Sequence, residues 1–249
     1  MNWKQLISAK RFGMEEFHEE RQENRSEFQR DYDRLIFSAP FRRLQNKTQV
    51  FPLPGSVFVH NRLTHSLEVA SVGRSLGDDV AKALLERHPE LQDSFLPEIG
   101  SIVSAACLAH DLGNPPFGHS GEKAISTFFS EGKGVRLKEK QPNGEQLSPM
   151  EWEDLTHFEG NANAFRILTH QFEGRRKGGF VLTYTTLASI VKYPFSSSLA
   201  GTKSKFGFFV SEEESFQKIA TELGLTLLNE HPLKYARHPL VYLVEAADD

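Results

Sequence analysis

Ile99-Gly100-Ser101-Ile102-Val103-Ser104-Ala105-Ala106-Cys107-Leu108-Ala109 runs without a break into His110-Asp111-Leu112-Gly113-Asn114-Pro115-Pro116-Phe117-Gly118-His119-Ser120-Gly121-Glu122. The first segment is mostly apolar and small, a composition that suits a buried helix. His110 falls four residues after Ala106 and seven after Val103, so it continues the inward stripe of that helix. The second segment sets two imidazoles and two carboxylates among Gly and Pro. A His and an Asp at the end of a buried helix are costly unless something compensates them. A divalent metal would compensate both, and imidazole with carboxylate is a ligand mix that suits first-row divalent ions.

A second His occupies a matching place. His65, in Arg62-Leu63-Thr64-His65-Ser66-Leu67-Glu68-Val69, opens a run with apolar residues at Val69, Val72, Leu76 and Val80. That spacing predicts a helix with His65 on its inward face. A lone His there is ordinarily a hydrogen-bonded core residue. Beside a His-Asp pair on another apolar helix, the balance moves towards a metal. Tyr242-Leu243-Val244-Glu245-Ala246-Ala247-Asp248-Asp249 predicts a further apolar, small-residue helix ending in carboxylates. His, His-Asp and a late Asp on three helices can converge on one ion, leaving positions open for water and substrate. The expected fold class is therefore all-α, a helical bundle with the metal site between helices. Periodicity places helices at about 26–38, 62–87, 97–112, 119–130, 158–172, 184–193, 212–224 and 239–249. Residues 132–149 are polar and rich in breakers, which predicts a surface loop or a short hairpin.

Composition bounds the rest. A chain of 249 residues can bury a sizeable core as one helical domain. Its formal net charge of -4 gives no global basic field, so nucleic acid is not the obvious main partner, although a nucleotide site needs only a local positive pocket. The single Cys107 excludes an internal disulfide and fits a reducing compartment. Its neighbours Ala105, Ala106 and Leu108 favour a small buried filler over a nucleophile. No apolar run approaches a membrane span, and the polar start does not suit a signal peptide. The sequence reads as cytoplasmic, with no membrane partner.

These residues resemble the HD-domain phosphohydrolases and, within them, the deoxyguanosine triphosphate triphosphohydrolases (dGTPases). The resemblance covers nearly the whole chain. It rests on Phe41-Arg42-Arg43-Leu44-Gln45-Asn46-Lys47-Thr48-Gln49-Val50, on Asn61-Arg62-Leu63-Thr64-His65-Ser66, and on the block from His110 to Glu122. Further on, it is carried by Phe158-Glu159-Gly160-Asn161-Ala162, Leu187-Ala188-Ser189-Ile190-Val191-Lys192-Tyr193-Pro194, Lys205-Phe206-Gly207-Phe208-Phe209 and Glu245-Ala246-Ala247-Asp248-Asp249. It implies a metal-dependent hydrolase that converts dGTP or another dNTP to the deoxynucleoside and tripolyphosphate. The implied ligands are His65, His110, Asp111 and Asp248, holding Mn²⁺, Mg²⁺ or Ni²⁺. His119 and Glu122 would be the catalytic pair. Gln49, Arg62, Asn161, Lys192, Tyr193 and Lys205 would contact substrate. Related enzymes form homo-oligomers, and some bind single-stranded DNA or a regulatory dNTP.

Plainer readings stand beside several of these roles. Glu122 suits the positive end of a helix that His119 caps. Lys192 suits the negative end of another, and Arg62 an ordinary ion pair with Glu68. Gln49, Asn161, Lys192 and Lys205 favour a triphosphate over the substrates of other HD phosphohydrolases. A non-catalytic nucleotide-binding or oligomer-forming module is the remaining alternative. The helix at 239–249 ends without a cap, where the resembling enzymes continue with a Tyr and an Asp that contact substrate. The sequence is therefore expected to be a truncated form of a longer chain.

Overall fold

The computed structural model describes residues 1–16, 25–47, 61–139, 144–174, 176–201 and 204–249. Its elements begin with α1 (Trp3–Leu6), α2 (Glu27–Ile36), α3 (Ala39–Arg43), α4 (Arg62–Arg87), α5 (Ile99–Ala109) and α6 (His119–Ser130). There follow α7 (Pro149–Thr156), α8 (Gly160–Thr169), α9 (Tyr184–Ile190), α10 (Glu213–Glu222) and, after a small hairpin, α11 (Val241–Asp248). The hairpin pairs β1 (Leu227–Asn229) with β2 (Lys234–Tyr235) in antiparallel fashion. The fold is all-α apart from this pair. Among the described residues no helix is long and apolar enough to cross a membrane.

α5 is the axis. Every one of its residues is buried, and α2, α4, α9 and α11 pack around it. Burying a side chain such as Ile102, Val103 or Leu108 contributes about 1.5–3 kcal/mol each. α4 runs antiparallel to α5 at unusually close range. A Cβ added at Gly77 would stand 2.7 Å from the Gly100 Cα, and one at Gly73 would stand 2.6 Å from the Cys107 Sγ. The backbones can meet only because these positions carry no side chain. Ser104 Oγ donates to the Ala70 carbonyl at 3.0 Å, closing the same seam.

The buried stripe of α4 therefore differs from the one its apolar residues suggest. It runs through Arg62, Ser66, Val69, Ala70, Gly73, Gly77 and Ala81, whereas Val72 is exposed. Small residues win this face because the partner is a backbone, not a layer of side chains. Asn61 caps α4 reciprocally with Thr64, which fixes where the helix starts and so where His65 stands.

Several elements exceed the sequence-based expectation, among them α1, α3, the β1–β2 hairpin and two further segments. α7 opens on a capping box, Ser148 with Glu151, and carries Pro149 in its first turn. Lys133–Lys138 forms a 3₁₀ helix. α4 and α6 keep the expected bounds, whereas α2, α5, α8, α9, α10 and α11 are shorter than periodicity alone predicts. α8 spans 160–169 because Glu159 caps it, accepting from the N–H groups of Asn161 and Ala162.

His238 and Asp154 make the fold pH-sensitive in opposite senses. His238 sits buried under the start of α11, its Nε2 donating to the Leu6 carbonyl and its Nδ1 accepting from the Leu240 N–H. Burial pushes it down from 6.5 to about 4. The unfolded chain thus takes up a proton first as pH falls from 6.5, and stability is lost between 6.5 and 4. Burial pushes the Asp154 carboxyl up from 3.8 to about 6. Its proton binds the folded state first, so stability is gained as pH falls from 6 towards 3.8. Each effect is worth up to about 3 kcal/mol, at 1.36 kcal/mol per pKa unit. The two offset one another between pH 6 and 4. In Asp154→Asn the His238 loss should stand alone, and urea melts at pH 7 and 4.5 should show a steeper fall than in the wild type. An identical fall in both proteins would remove Asp154 from the balance.

Candidate metal centre and active site

The start of α4 and the end of α5 bring His65 and His110 together at one end of the shared seam, with ring centroids 5.4 Å apart. One ligand atom from each of His65, His110 and Asp111 falls within 4.8 Å of the others. Asp248, from α11, completes the group at its rim: Oδ1 lies 2.9 Å from His65 Nε2 and 3.4 Å from His110 Nε2. His110 Nδ1 bonds to the Cys107 carbonyl at 2.6 Å. That bond makes Nδ1 the donor and leaves Nε2 with its lone pair free for a ligand bond, as a supporting hydrogen bond does in metal sites. His110 Nε2 is buried without a hydrogen-bond partner. An orphaned buried imidazole nitrogen facing two carboxylates fits a divalent ion.

Electrostatics agree. Burial would lower the His110 imidazole, but Asp248 and the charge of Asp111 outweigh it and hold it above its ordinary value. The nearby His110 imidazole is the main reason the Asp248 carboxyl is held down at about 2. A field that retains a proton at this point also favours a metal cation. Arg62 NH1 bonds Asp111 Oδ2 at 2.6 Å, and Asn114 Nδ2 bonds Asp111 Oδ1, so both oxygens of Asp111 are oriented. Arg62 thus pairs with Asp111.

The turn after Asp111 swings the chain out to the second half of the site. Phe117 and Gly118 both take positive φ, 67° and 53°, an uncommon conformation for a bulky residue. Gly118 then serves as the N-cap of α6, without a side-chain cap bond, and His119 is its first residue. His119 therefore does not cap the helix. Its Nδ1 lies 2.9 Å from Glu122 Oε2, and its side chain is otherwise exposed towards a cavity. Glu122 Oε1 accepts from the Gly160 N–H at 2.9 Å, so α8 holds the carboxylate in place.

The cavity, of about 340 Å³, joins the two halves. Arg62, His110, Asp111, His119, Glu122 and Asp248 line it together with Asn161, Lys192, Tyr193 and Lys205. Lys192 pairs with Glu245 at 2.8 Å, and Lys205 with Glu159 at 2.7 Å. Burial works against each ammonium, but these carboxylates raise both lysines above their ordinary value. Gln49 lies outside the described residues. His157 caps the end of α7, bonded within that turn, and does not line the cavity. Cys107 is a buried filler whose thiol burial pushes up to about 12.

Asn114, Glu159 and Glu245 also line the cavity, although sequence reasoning assigned none of them a role. Asn114 and Glu159 sit inside motif blocks, and Glu245 lies one turn before Asp248 on α11. Each can be found only once its partner is placed.

Comparison with known proteins follows this geometry. Residues 62–178 match the family model described as HD domain. A Synechocystis protein named deoxyguanosinetriphosphate triphosphohydrolase-like is 45% identical over 100% of this chain and 57% of its own length. A Pseudomonas aeruginosa protein of the same name is 47% identical, over 100% of this chain and 55% of its own. A Yersinia enterocolitica deoxyguanosinetriphosphate triphosphohydrolase is 36% identical, over 100% of this chain and 53% of its own. The chain spans a little over half the length of these curated relatives.

The metal reading has a direct test. Mn²⁺ should raise the melting temperature of the chain, since an ion at 100 times its Kd adds about 2.7 kcal/mol. Asp111→Ala and His110→Ala should each lose both the shift and the bound Mn²⁺ while keeping most helix content by circular dichroism. Unchanged Mn²⁺ stoichiometry in both variants would place the ion elsewhere.

Proposed function

The chain belongs to the deoxyguanosinetriphosphate triphosphohydrolase family of HD-domain proteins, and on that premise we propose that it hydrolyses dGTP to deoxyguanosine and inorganic tripolyphosphate. The observation that carries this reading is the cavity itself. Its lining combines an imidazole–carboxylate cluster suited to a cation with two lysines, a tyrosine and an asparagine. A triphosphate needs both sets, because its charge must be neutralised along its length while one phosphorus is attacked.

His65, His110, Asp111 and Asp248 would hold the ion, and Mn²⁺, Mg²⁺ and Ni²⁺ all suit the donor set. When bound, it supplies Lewis acidity that polarises the α-phosphate and lowers the pKa of water. The chain's own residues do the rest. Lys192, Lys205, Tyr193 and Asn161 bind and orient the phosphates, the two lysines held in place by Glu245 and Glu159. Arg62 keeps Asp111 oriented and presents its guanidinium to the cavity. His119 donates a proton to the leaving 5′ oxygen as the bond between phosphorus and that oxygen breaks. Glu122, on the opposite ring nitrogen, orients the imidazole.

Two measurements test this. Product analysis with Mn²⁺ and each dNTP should show tripolyphosphate and the deoxynucleoside, with dGTP the preferred substrate. Release of orthophosphate or pyrophosphate would instead mark another HD phosphohydrolase, and no turnover a binding module. His119→Ala should keep the metal and lose roughly 10²–10⁴-fold in turnover, the range of a positioned acid–base group. Turnover close to wild type in that variant would reduce His119 to a bystander.

A further inference from the structure

Glu159 is buried, 1% exposed, yet it belongs to no catalytic pair and no ligand group. Burial pushes its carboxyl up, so retaining a carboxylate here demands partners. It has four. Oε2 accepts the backbone N–H groups of Asn161 at 2.6 Å and Ala162 at 3.3 Å. Oε1 accepts the Asn161 side-chain amide at 2.8 Å and the Lys205 ammonium at 2.7 Å. One side chain thus orders Lys205, Asn161 and the first turn of α8.

The same turn carries Gly160, whose N–H holds Glu122. Nothing larger fits there: a Cβ at Gly160 would stand 2.2 Å from Asn114 Oδ1 and 2.9 Å from Glu122 Oε1. Asn163, one turn on, donates its side-chain amide to the Gly113 carbonyl at 2.8 Å. The start of α8 is therefore docked on the turn that follows Asp111, with Glu159 as its cap. Lys205 Nζ also lies 3.7 Å from Glu122 Oε2. Without Glu159, Glu122 is the carboxylate nearest to Lys205, and that pairing would compete with His119 for the same oxygen.

We propose that Glu159 is a positioning residue: it holds Lys205 and Asn161 towards the triphosphate and keeps Lys205 off the Glu122–His119 pair. The inference rests on the reading of the cavity as a triphosphate site. It assigns Glu159 no contact with the reacting atoms, and its effect passes through Lys205.

A double-mutant cycle tests this, with inorganic tripolyphosphate as the probe, titrated calorimetrically into the Mn²⁺-loaded chain. Glu159→Gln keeps an acceptor for the α8 cap and removes the charge that holds Lys205. It and Lys205→Met should each weaken binding about tenfold, and the double variant should be no weaker than Lys205→Met alone, because both remove one unit. Glu159→Asp keeps the charge and a strong cap, and should stay within a few-fold of wild type. In turnover, Glu159→Gln should raise KM and also shift the pH profile of kcat, since Lys205 then reaches Glu122; a purely structural loss would scale activity without moving the profile. Additive losses in the cycle, or wild-type binding by Glu159→Gln, overturn the proposal and leave the triphosphate site standing. A wild-type chain that does not bind tripolyphosphate overturns the site and this inference together.

Discussion

The approach of α4 to α5 at Gly73, Gly77 and Gly100 is the constraint on which the site depends. Helices separated by ordinary side chains lie about 8–10 Å apart. Here the gap is closed to the point where an added Cβ would meet a backbone atom or a sulfur. A methyl at Gly77 has no flexible side-chain end to push aside, so the helices themselves would have to part. His65 and His110 lie at one end of this seam, and parting it would separate the two imidazoles. The cost of so many small residues is modest hydrophobic burial along α4, which α2, α9 and α11 offset by covering the remaining faces of α5.

Charge is balanced within the free site. Asp111 is answered by Arg62, Glu159 by Lys205 and Glu245 by both Lys192 and Arg237. The balance follows from burial, since an unpaired charge in such a cavity costs several kcal/mol. Among the described residues of the site, His110 Nε2 and Arg62 Nε are buried side-chain atoms without a hydrogen-bond partner. An anionic ligand at the lysines meets ammonium groups already oriented by Glu159 and Glu245, whereas a cation held by His65 and Asp248 would replace their mutual contact at 2.9 Å. The two kinds of ligand are therefore accommodated by different physics, the sharing of paired ammonium groups in one case and the replacement of an imidazole–carboxylate contact in the other.

How much of this could be read from the sequence depends on the range of the interaction concerned. α5 was legible because its own composition leaves it no exposed face. The start of α4 and the start of α6 were legible from local signals, Asn61 with Thr64 and the Gly118–His119 junction. The inward stripe of α4 was misleading, because Val72 is apolar but faces solvent, while Gly73 and Gly77 face a neighbouring backbone that no periodicity reveals. α7 was overlooked although Ser148, Pro149 and Glu151 spell its cap; a helix of 8 residues among polar segments carries little periodic signal. The hairpin of β1 and β2 was overlooked for a similar reason, having only 3 and 2 residues. Glu159 could be quoted in a motif but not understood, since its role exists only when Lys205, 46 residues further on, is brought to it.

The two halves of the site come from different layers of the fold. The imidazole–carboxylate cluster is anchored on α5, every residue of which is buried. The His119–Glu122 pair comes from α6, where Glu122 is the buried residue, and the lysines from connecting segments. Only the turn from His110 to Gly118 links them covalently, and it is held in the left-handed region at Phe117 and Gly118. Strain of this kind persists where surrounding contacts fix the chain. Those contacts are present: Lys47 Nζ donates to the Asn114 carbonyl at 2.6 Å, Asn163 to the Gly113 carbonyl, and Asn114 to Asp111. The distance between the imidazole–carboxylate cluster and the His119–Glu122 pair is therefore a property of this turn. The proposed hydrolysis would require that distance to be fixed, and the carbonyl contacts of Gly113 and Asn114 fix it more firmly than the exposed face of α6 could.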